Sequence, residues 1–343
     1  MPLIFVSKLD WDYSRSGVYF AKCEEPKLFI KLPKQKIKLV KKIREMKVRH
    51  SSTNTKIVVM SPQHSLVIFF YIFTDFRVVL DAGWPLSDAT FEKSKFSGRR
   101  RNFYSYVIDY ISFKLASRIV LESQAQVVHV SSKFCVPREK LRSLLTGMNE
   151  ILFSESKNHI VRPIELNAQT TDSKVLPIVF FRGKNNLEAG LDVIIKAAEF
   201  LIGQTTFVIV TNRCSGRIPS NVVVIRRFIP IGELIWLYKN SIIVLGQIST
   251  NRRLSRTLPH KVFEAAYFNK CYLTPPSLAL NELLDSNSFI PLVDITAQGL
   301  AKTIQSTLNN PTKIKSLETN IGMNYRDRAS QAYLSEQFIH VVS

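Results

Sequence analysis

A single rhythm restricts this chain more than any other feature. Short runs of β-branched and apolar residues alternate with stretches whose apolar residues recur at helical spacing. "KIVVMS" (56–61), "RVVLDAG" (77–83) and "RIVLES" (118–123) read as strands buried on both faces, which is the pattern of a parallel sheet. Between and after them, "FYSYVIDYISFKLAS" (103–117) and "EKLRSLLTGM" (139–148) read as helices. The pattern lapses at "NAQTTDSK" (167–174), a polar and unperiodic stretch that reads as a linker.

The rhythm then restarts. Strands are expected at 177–183, 206–212, 221–228, 242–247, 271–276 and 289–294, and helices at 191–203, 231–241, 278–286, 297–310 and 326–342. Two α/β halves of similar size follow: residues 1–170, residues 171–325, and a terminal helix over 326–343 that crosses back to the first half. Each half is expected to be a doubly wound sheet, and the two to face a cleft. Ligands in such sheets bind outside the carboxyl ends of the strands.

Charge narrows the partners. The chain carries 47 Lys+Arg against 27 Asp+Glu, a net +20. That field favours an anion: nucleic acid, an anionic lipid surface or a phosphorylated small substrate. No nucleic-acid-binding signature occurs, and nucleic acid is not expected as a partner. Within "KLPKQKIKLVKKIREMKVRH" (31–50), Ile37, Leu39, Val40, Ile43 and Met46 fall mostly on one helical face among lysines. This reads either as a basic amphipathic helix for an anionic membrane surface or as a helix packed on the sheet through the same face. Arg99, Arg100 and Arg101 form a second basic cluster. The longest apolar run, "LVIFFYIF" (66–73), is far short of the ~20 residues a spanning helix needs. No signal peptide is read at the N-terminus. The four cysteines are isolated, as expected in a reducing compartment. The expected location is therefore cytoplasmic, with the inner membrane face as a peripheral site.

Several chemistries find no support in the motifs. The six histidines show no HxxxH or HExxH spacing, so no metal site is expected. "DWD" at Asp10–Asp12 has a DxD form, a short pattern that arises often by chance. No P-loop, GxGxxG or GxSxG sequence occurs. Gly17 is placed in a loop after the first strand, where a backbone amide could approach a phosphate.

The second half holds the better site. "FFRGKNN" (180–186) ends a strand with Gly183 and Lys184. "SRTLPHKVFEAA" (255–266) opens a helix near Pro259, with Arg256 in the loop before it and Lys261 and Glu264 three apart on one face. Two lysines, an arginine and a helix N-terminus converging on one place would hold a diphosphate. Glu264 would repel phosphate but could accept from vicinal ribose hydroxyls. The alternative is an i,i+3 ion pair at a solvated helix start.

These residues resemble a family signature that runs roughly G-K…AG-x-(D/E)-x-I-I-x-A-A, then LG, then R-x-x-P-x-K-x-(F/Y)-E-A. Here it is Gly183, Lys184, Ala189, Gly190, Asp192, Ile194, Ile195, Ala197 and Ala198; Leu245 and Gly246; and Arg256, Pro259, Lys261, Phe263, Glu264 and Ala265. The second half is similar to the donor domain of retaining GT-B glycosyltransferases of the bacterial group 1 type, glycosyltransferase family four. "PPSLALNELL" (275–284) resembles the segment that covers the donor phosphates, with Ser277, Leu278 and Glu282. The first half agrees more loosely.

The resemblance implies two Rossmann-like domains. It also implies transfer of a sugar from a nucleoside-diphosphate sugar to a saccharide or lipid-linked acceptor, with retention and no obligatory metal or cofactor, in cell-surface polysaccharide synthesis. Lys261 would bind the diphosphate with help from Lys184, Glu264 would bind the ribose, and Asp81 or His64 would either lie near the reacting sugar or be a structural residue at a strand end. Four positions depart from the family. Arg256 stands where many members carry a glutamate, Ala189 where they carry a second basic residue, and Ser277–Leu278 where they carry paired glycines. The alternatives are a sugar-nucleotide epimerase of the same fold and a degenerate, non-catalytic binding subunit.

Overall fold

In the computed structural model of the chain, residues 3–9, 14–22, 27–32, 45, 55–91, 98–169, 176–186, 188–214 and 216–342 are described. Asp10–Asp12, most of the basic tract at 31–50 and residues 170–175 of the polar stretch lie outside them. So do the side chains of Arg99, Arg100 and Arg101.

The chain divides into two units, Met1–Asn149 with Ser330–Ser343, and Glu150–Ala329. The first boundary therefore falls ahead of the stretch at 167–174. The reason is local. A side chain added at Gly232 would collide with the backbone carbonyl of His159, and Arg227 donates to Glu165 at 2.8 Å. Residues after 150 are thus tied to the second sheet.

Among the described residues the first unit has six parallel strands: β1 (Leu3–Ser7), β2 (Lys27–Lys31), β3 (Lys56–Met60), β4 (Arg77–Gly83), β5 (Arg118–Leu121) and β6 (Leu141–Ser143). Their order is β2-β1-β3-β4-β5-β6. β1 and β3 are buried along their whole length, as the continuous apolar runs require. Helices α1 (Ser14–Lys22), α2 (Ser65–Phe73), α3 (Leu86–Phe91), α4 (Gly98–Leu115) and α5 (Gln124–Phe134) connect them.

The second unit repeats the plan. Strands β7 (Ile178–Arg182), β8 (Thr206–Val210), β9 (Val222–Ile225), β10 (Ser241–Leu245), β11 (Cys271–Thr274) and β12 (Ile290–Pro291) lie in the order β12-β11-β10-β7-β8-β9, all parallel. The order reverses between β7 and β10, which makes their carboxyl ends the switch point of this sheet. Its helices are α6 (Glu150–Glu155), α7 (Leu191–Glu199), α8 (Ile231–Asn240), α9 (His260–Tyr267), α10 (Leu280–Leu283), α11 (Ala297–Leu308) and α12 (Pro311–Arg328). The last helix, α13 (Gln331–Val342), returns to the first unit. There Phe338 stacks on Tyr19 with ring centroids 4.6 Å apart, and Lys56 Nζ donates to the Val342 carbonyl at 2.6 Å.

Four expectations need correction. Residues 139–148 are not a helix: a short 3-10 turn at Arg138–Lys140 leads into β6, which pairs with β5. Its leucines fit a helical spacing, but Leu141, Leu144 and Leu145 are buried against the sheet edge instead. The helix expected at 278–286 shrinks to α10. The terminal helix begins at Gln331 and is preceded by α12, which has only a thin apolar stripe, Leu317, Ile321 and Tyr325. Gly17 lies inside α1 and not in a loop, and its carbonyl accepts from Gln331 Nε2 at 3.0 Å.

No helix among the described residues is long and apolar enough to cross a membrane.

Candidate functional site

Of the site residues foreseen in the second half, Lys261, Glu264 and Gly183 come together at the switch point. Pro259 caps α9 with φ −61° and ψ 138°, and the helix then turns Lys261 and Glu264 inward under the carboxyl ends of β7 and β10. Both are buried, Lys261 at 5% and Glu264 at 6% exposure. They do not form the solvated i,i+3 pair that was the alternative. Lys261 Nζ donates to the Gly246 carbonyl, just past β10, at 3.2 Å. It also lies 3.9 Å from the centre of the Phe181 ring, a cation–π contact. A side chain at Gly183 would begin 3.6 Å from that ammonium, so the bare backbone leaves the approach open.

Glu264 has a different partner from the one its spacing suggests. Arg182, the last residue of β7, donates to both carboxylate oxygens at 2.5 and 2.7 Å, and the buried Tyr238 hydroxyl of α8 donates to Oε2. Burial opposes the charge on Arg182, but Glu264 outweighs it and the guanidinium holds its proton more tightly than usual. Burial raises Tyr238, and the Glu264 charge adds to it. Lys261 is pushed the other way. Burial, then repulsion from Arg182, carries it well below the ordinary lysine range, and Glu264 offsets only part.

Arg182, Tyr238 and Phe181 were not foreseen as site residues. For Arg182 a signal existed, since it directly precedes Gly183 and Lys184 at a strand's carboxyl end. For Tyr238, in the middle of an amphipathic helix, none did.

The remaining positions spread around this centre. Lys184 is exposed in the loop after β7. Arg256 is half-buried between a 3-10 turn (Arg252–Ser255) and α9, its amide donating to the Arg253 carbonyl at 3.0 Å. Glu188, beside the departure at Ala189, accepts from Arg253 at 2.6 and 2.9 Å. Ser277 Oγ accepts from the Leu280 amide at 3.1 Å, Glu282 lies in α10, and Leu278 is exposed.

A cavity of about 470 Å³ opens between the loop after β10, the start of α9 and the loop after β11. Ser277, Thr257 and Pro259 border it, while Lys261, Gly183 and Glu264 do not. Gly246 separates the two regions. Its carbonyl accepts a hydrogen bond from Lys261 Nζ, and a side chain at its Cα would strike Thr274 and Tyr272, which wall the cavity. Gly190, in the left-handed region at φ 65°, packs so closely on the Ile248 carbonyl that no side chain fits.

Asp81 and His64 belong to the first unit and are fully enclosed. Asp81 accepts from Arg15 Nε at 3.0 Å and Nη2 at 2.6 Å, and Arg15 Nη1 also donates to Thr146 at 2.8 Å. Burial resists the charge on Arg15, yet Asp81 raises its proton affinity. Asp81 is therefore the anchor of a buried ion pair, not a carboxylate open to substrate. His64 Nδ1 lies 2.7 Å from Asp109, which also accepts from the Leu86 and Ser87 amides.

No curated protein matches this sequence. Solved structures do match in fold. The protein Alr3699/HepE of Anabaena, in complex with UDP-glucose, superposes with a TM-score of 0.71 over 100% of this chain and 99% of that one, at 14% identity. A glycosyltransferase from Rickettsia africae gives 0.67 at 11% identity, covering 99% and 97%. A UDP-GlcNAc 2-epimerase from Neisseria meningitidis, bound to UDP-GlcNAc, gives 0.58 at 10% identity, covering 99% and 98%. The fold is thus α/β of the GT-B type, two doubly wound parallel sheets. Residues 194–340, which include α9 and the segment at 275–284 after it, match the model of a family described as glycosyl transferase-like.

Proposed function

We propose that the chain is a glycosyltransferase that takes a sugar from a nucleoside diphosphate and passes it to a saccharide or lipid-linked acceptor. One observation carries this reading. Lys261 stands at the junction of β7 and β10, beside the N-terminus of α9, with no carboxylate paired to it among the described residues. A diphosphate is the ligand that such a cationic corner at a switch point fits. The family match over 194–340 and the UDP and UDP-glucose complexes of the Anabaena protein support it.

In this reading Lys261 neutralises the charge that grows on the leaving diphosphate, and Lys184 assists from the rim. Arg182 and Tyr238 hold Glu264 in place for the ribose. Arg256 takes over at the position where a glutamate is usual. Transfer proceeds with retention and without an obligatory metal or cofactor, as the resemblance implies. A role in cell-surface polysaccharide synthesis at the inner membrane face fits the net charge of +20 and the basic tract at 31–50. Neutralising Lys36, Lys38, Lys41 and Lys42 should then abolish binding to anionic liposomes, and undiminished binding rejects the membrane contact.

The test is a panel of nucleotide sugars assayed for donor hydrolysis and thermal stabilisation. One donor should stabilise the wild type, and K261A and E264A should lose both stabilisation and turnover. Unchanged turnover in both variants rejects the site. The epimerase is the second reading, favoured by the Neisseria match. It predicts conversion of the sugar nucleotide without an acceptor and without release of the free nucleotide. Nucleotide binding with neither activity would mark a binding subunit.

A further inference from the structure

We propose that Lys261 takes up a proton from solvent when a nucleoside diphosphate enters the site, so that the cation is completed by the ligand it holds; this rests on the donor-binding reading above. The geometry is that of a lysine with no carboxylate paired to it among the described residues. An ammonium carries three N–H donors. Here the Gly246 carbonyl takes one, at 3.2 Å, and the Phe181 ring offers its face. The nearest carboxylate, Glu264, is already committed to Arg182 and Tyr238.

Among the described residues, two charges act on Lys261, and two buried phenols stand near them. Arg182 ends β7 and repels the ammonium. Glu264 lies on its own helix and attracts it. Tyr238 reaches Glu264 from α8, and Tyr272 of β11 packs against Gly246; burial keeps both phenols neutral. Arg182 and Glu264 cancel each other as a pair, so a charged Lys261 is a surplus cation in a buried place. Burial disfavours the charged form of a lysine, and the lowering of Lys261 follows from it. A diphosphate laid against Nζ supplies the missing negative charge and reverses the preference. The balance is simple: neutral amine, one solvent proton and the incoming diphosphate give an ammonium–diphosphate pair, with no bond to carbon made or broken.

Over the interval between the proton affinities of the empty and the filled site, diphosphate binding must then weaken as pH rises, about tenfold per unit for one proton. An ordinary exposed lysine would leave affinity flat until pH ~10.

Isothermal titration of the full chain with UDP, and with GDP and ADP in parallel, reads the effect directly. Runs between pH ~8 and ~9.5 keep the nucleotide's own phosphates ionised. The observed heat should change with the ionisation enthalpy of the buffer, giving an uptake that approaches one proton per bound nucleotide. Lys261→Arg stays charged throughout, and should bind with no uptake. Binding whose heat is independent of buffer and whose affinity is flat with pH overturns the proposal alone. The same uptake persisting in K261R or K261M also overturns it. If no nucleoside diphosphate binds at any pH, the donor reading itself fails and takes this proposal with it. Should K261R not fold, the pH slope of wild-type affinity decides between one proton and none.

Discussion

The carboxyl end of each sheet carries buried charge, but the two units settle it differently. In the first, Arg15 meets Asp81 at the end of β4 and reaches on to Thr146, which the buried Glu122 carboxylate also contacts, so the cation is enclosed and its charge is answered. In the second, Arg182 meets Glu264 in a similar pair, but Lys261 is added beside it with, among the described residues, the Gly246 carbonyl and the face of the Phe181 ring and no paired carboxylate. A matched buried pair serves the fold, since removing either partner strands the other. An unmatched cation costs stability and invites an anion. The same sheet architecture thus yields a structural lock in one unit and, under the proposed function, a diphosphate-binding corner in the other.

Breaking the lock should give the largest effect. Asp81→Ala takes the ion-pair partner from Arg15, leaving it Thr146, the Leu144 carbonyl and the nearby Glu122 charge, and should cost about 3–5 kcal/mol in chemical denaturation. A loss under ~1 kcal/mol would show that Arg15 finds other partners. Next comes Arg182→Met, which strands Glu264 in a more open setting and should cost about 2–3 kcal/mol while weakening nucleotide binding. Unaltered binding would separate Arg182 from the site.

Lys261→Met should act in the opposite sense on the fold. Nucleotide affinity should fall about tenfold to a hundredfold, while stability holds or rises. The proton affinity of Lys261 is lowered in the folded state, so the unfolded chain binds more protons between its folded and unfolded pKa values. Wild-type stability should therefore gain from this residue as pH rises through that window, and K261M should lack that gain in pH-dependent denaturation. The smallest change belongs to Lys184→Ala. From an exposed position it should cost ~0.2–1 kcal/mol of nucleotide affinity. A larger loss would move the diphosphate toward the loop after β7.

Much of this was legible before folding. Parallel strands announce themselves because both faces are buried, so "RVVLDAG" could be bounded residue for residue as β4. α12 was not legible, because an 18-residue helix held by a thin stripe carries little amphipathic signal. "EKLRSLL" misled because its leucines suit a helix and a sheet edge equally, and only the free edge of β5 chose between them. At the site, Lys261, Gly183 and Glu264 could be brought together from their places at strand ends and a helix start. Asp81 could not be sorted from a reactive carboxylate without knowing that Arg15 lies opposite.

What the sequence by itself determined is the identity and rough position of the cationic corner, because residue type, a proline-started helix and strand ends are local facts. What only the tertiary structure decided is how each charge is paired. Arg182 lies 82 residues from Glu264, and Arg15 lies 66 from Asp81. Coulomb energy depends on distance and burial in space, so which cation is satisfied and which is left over is fixed only when the chain has closed.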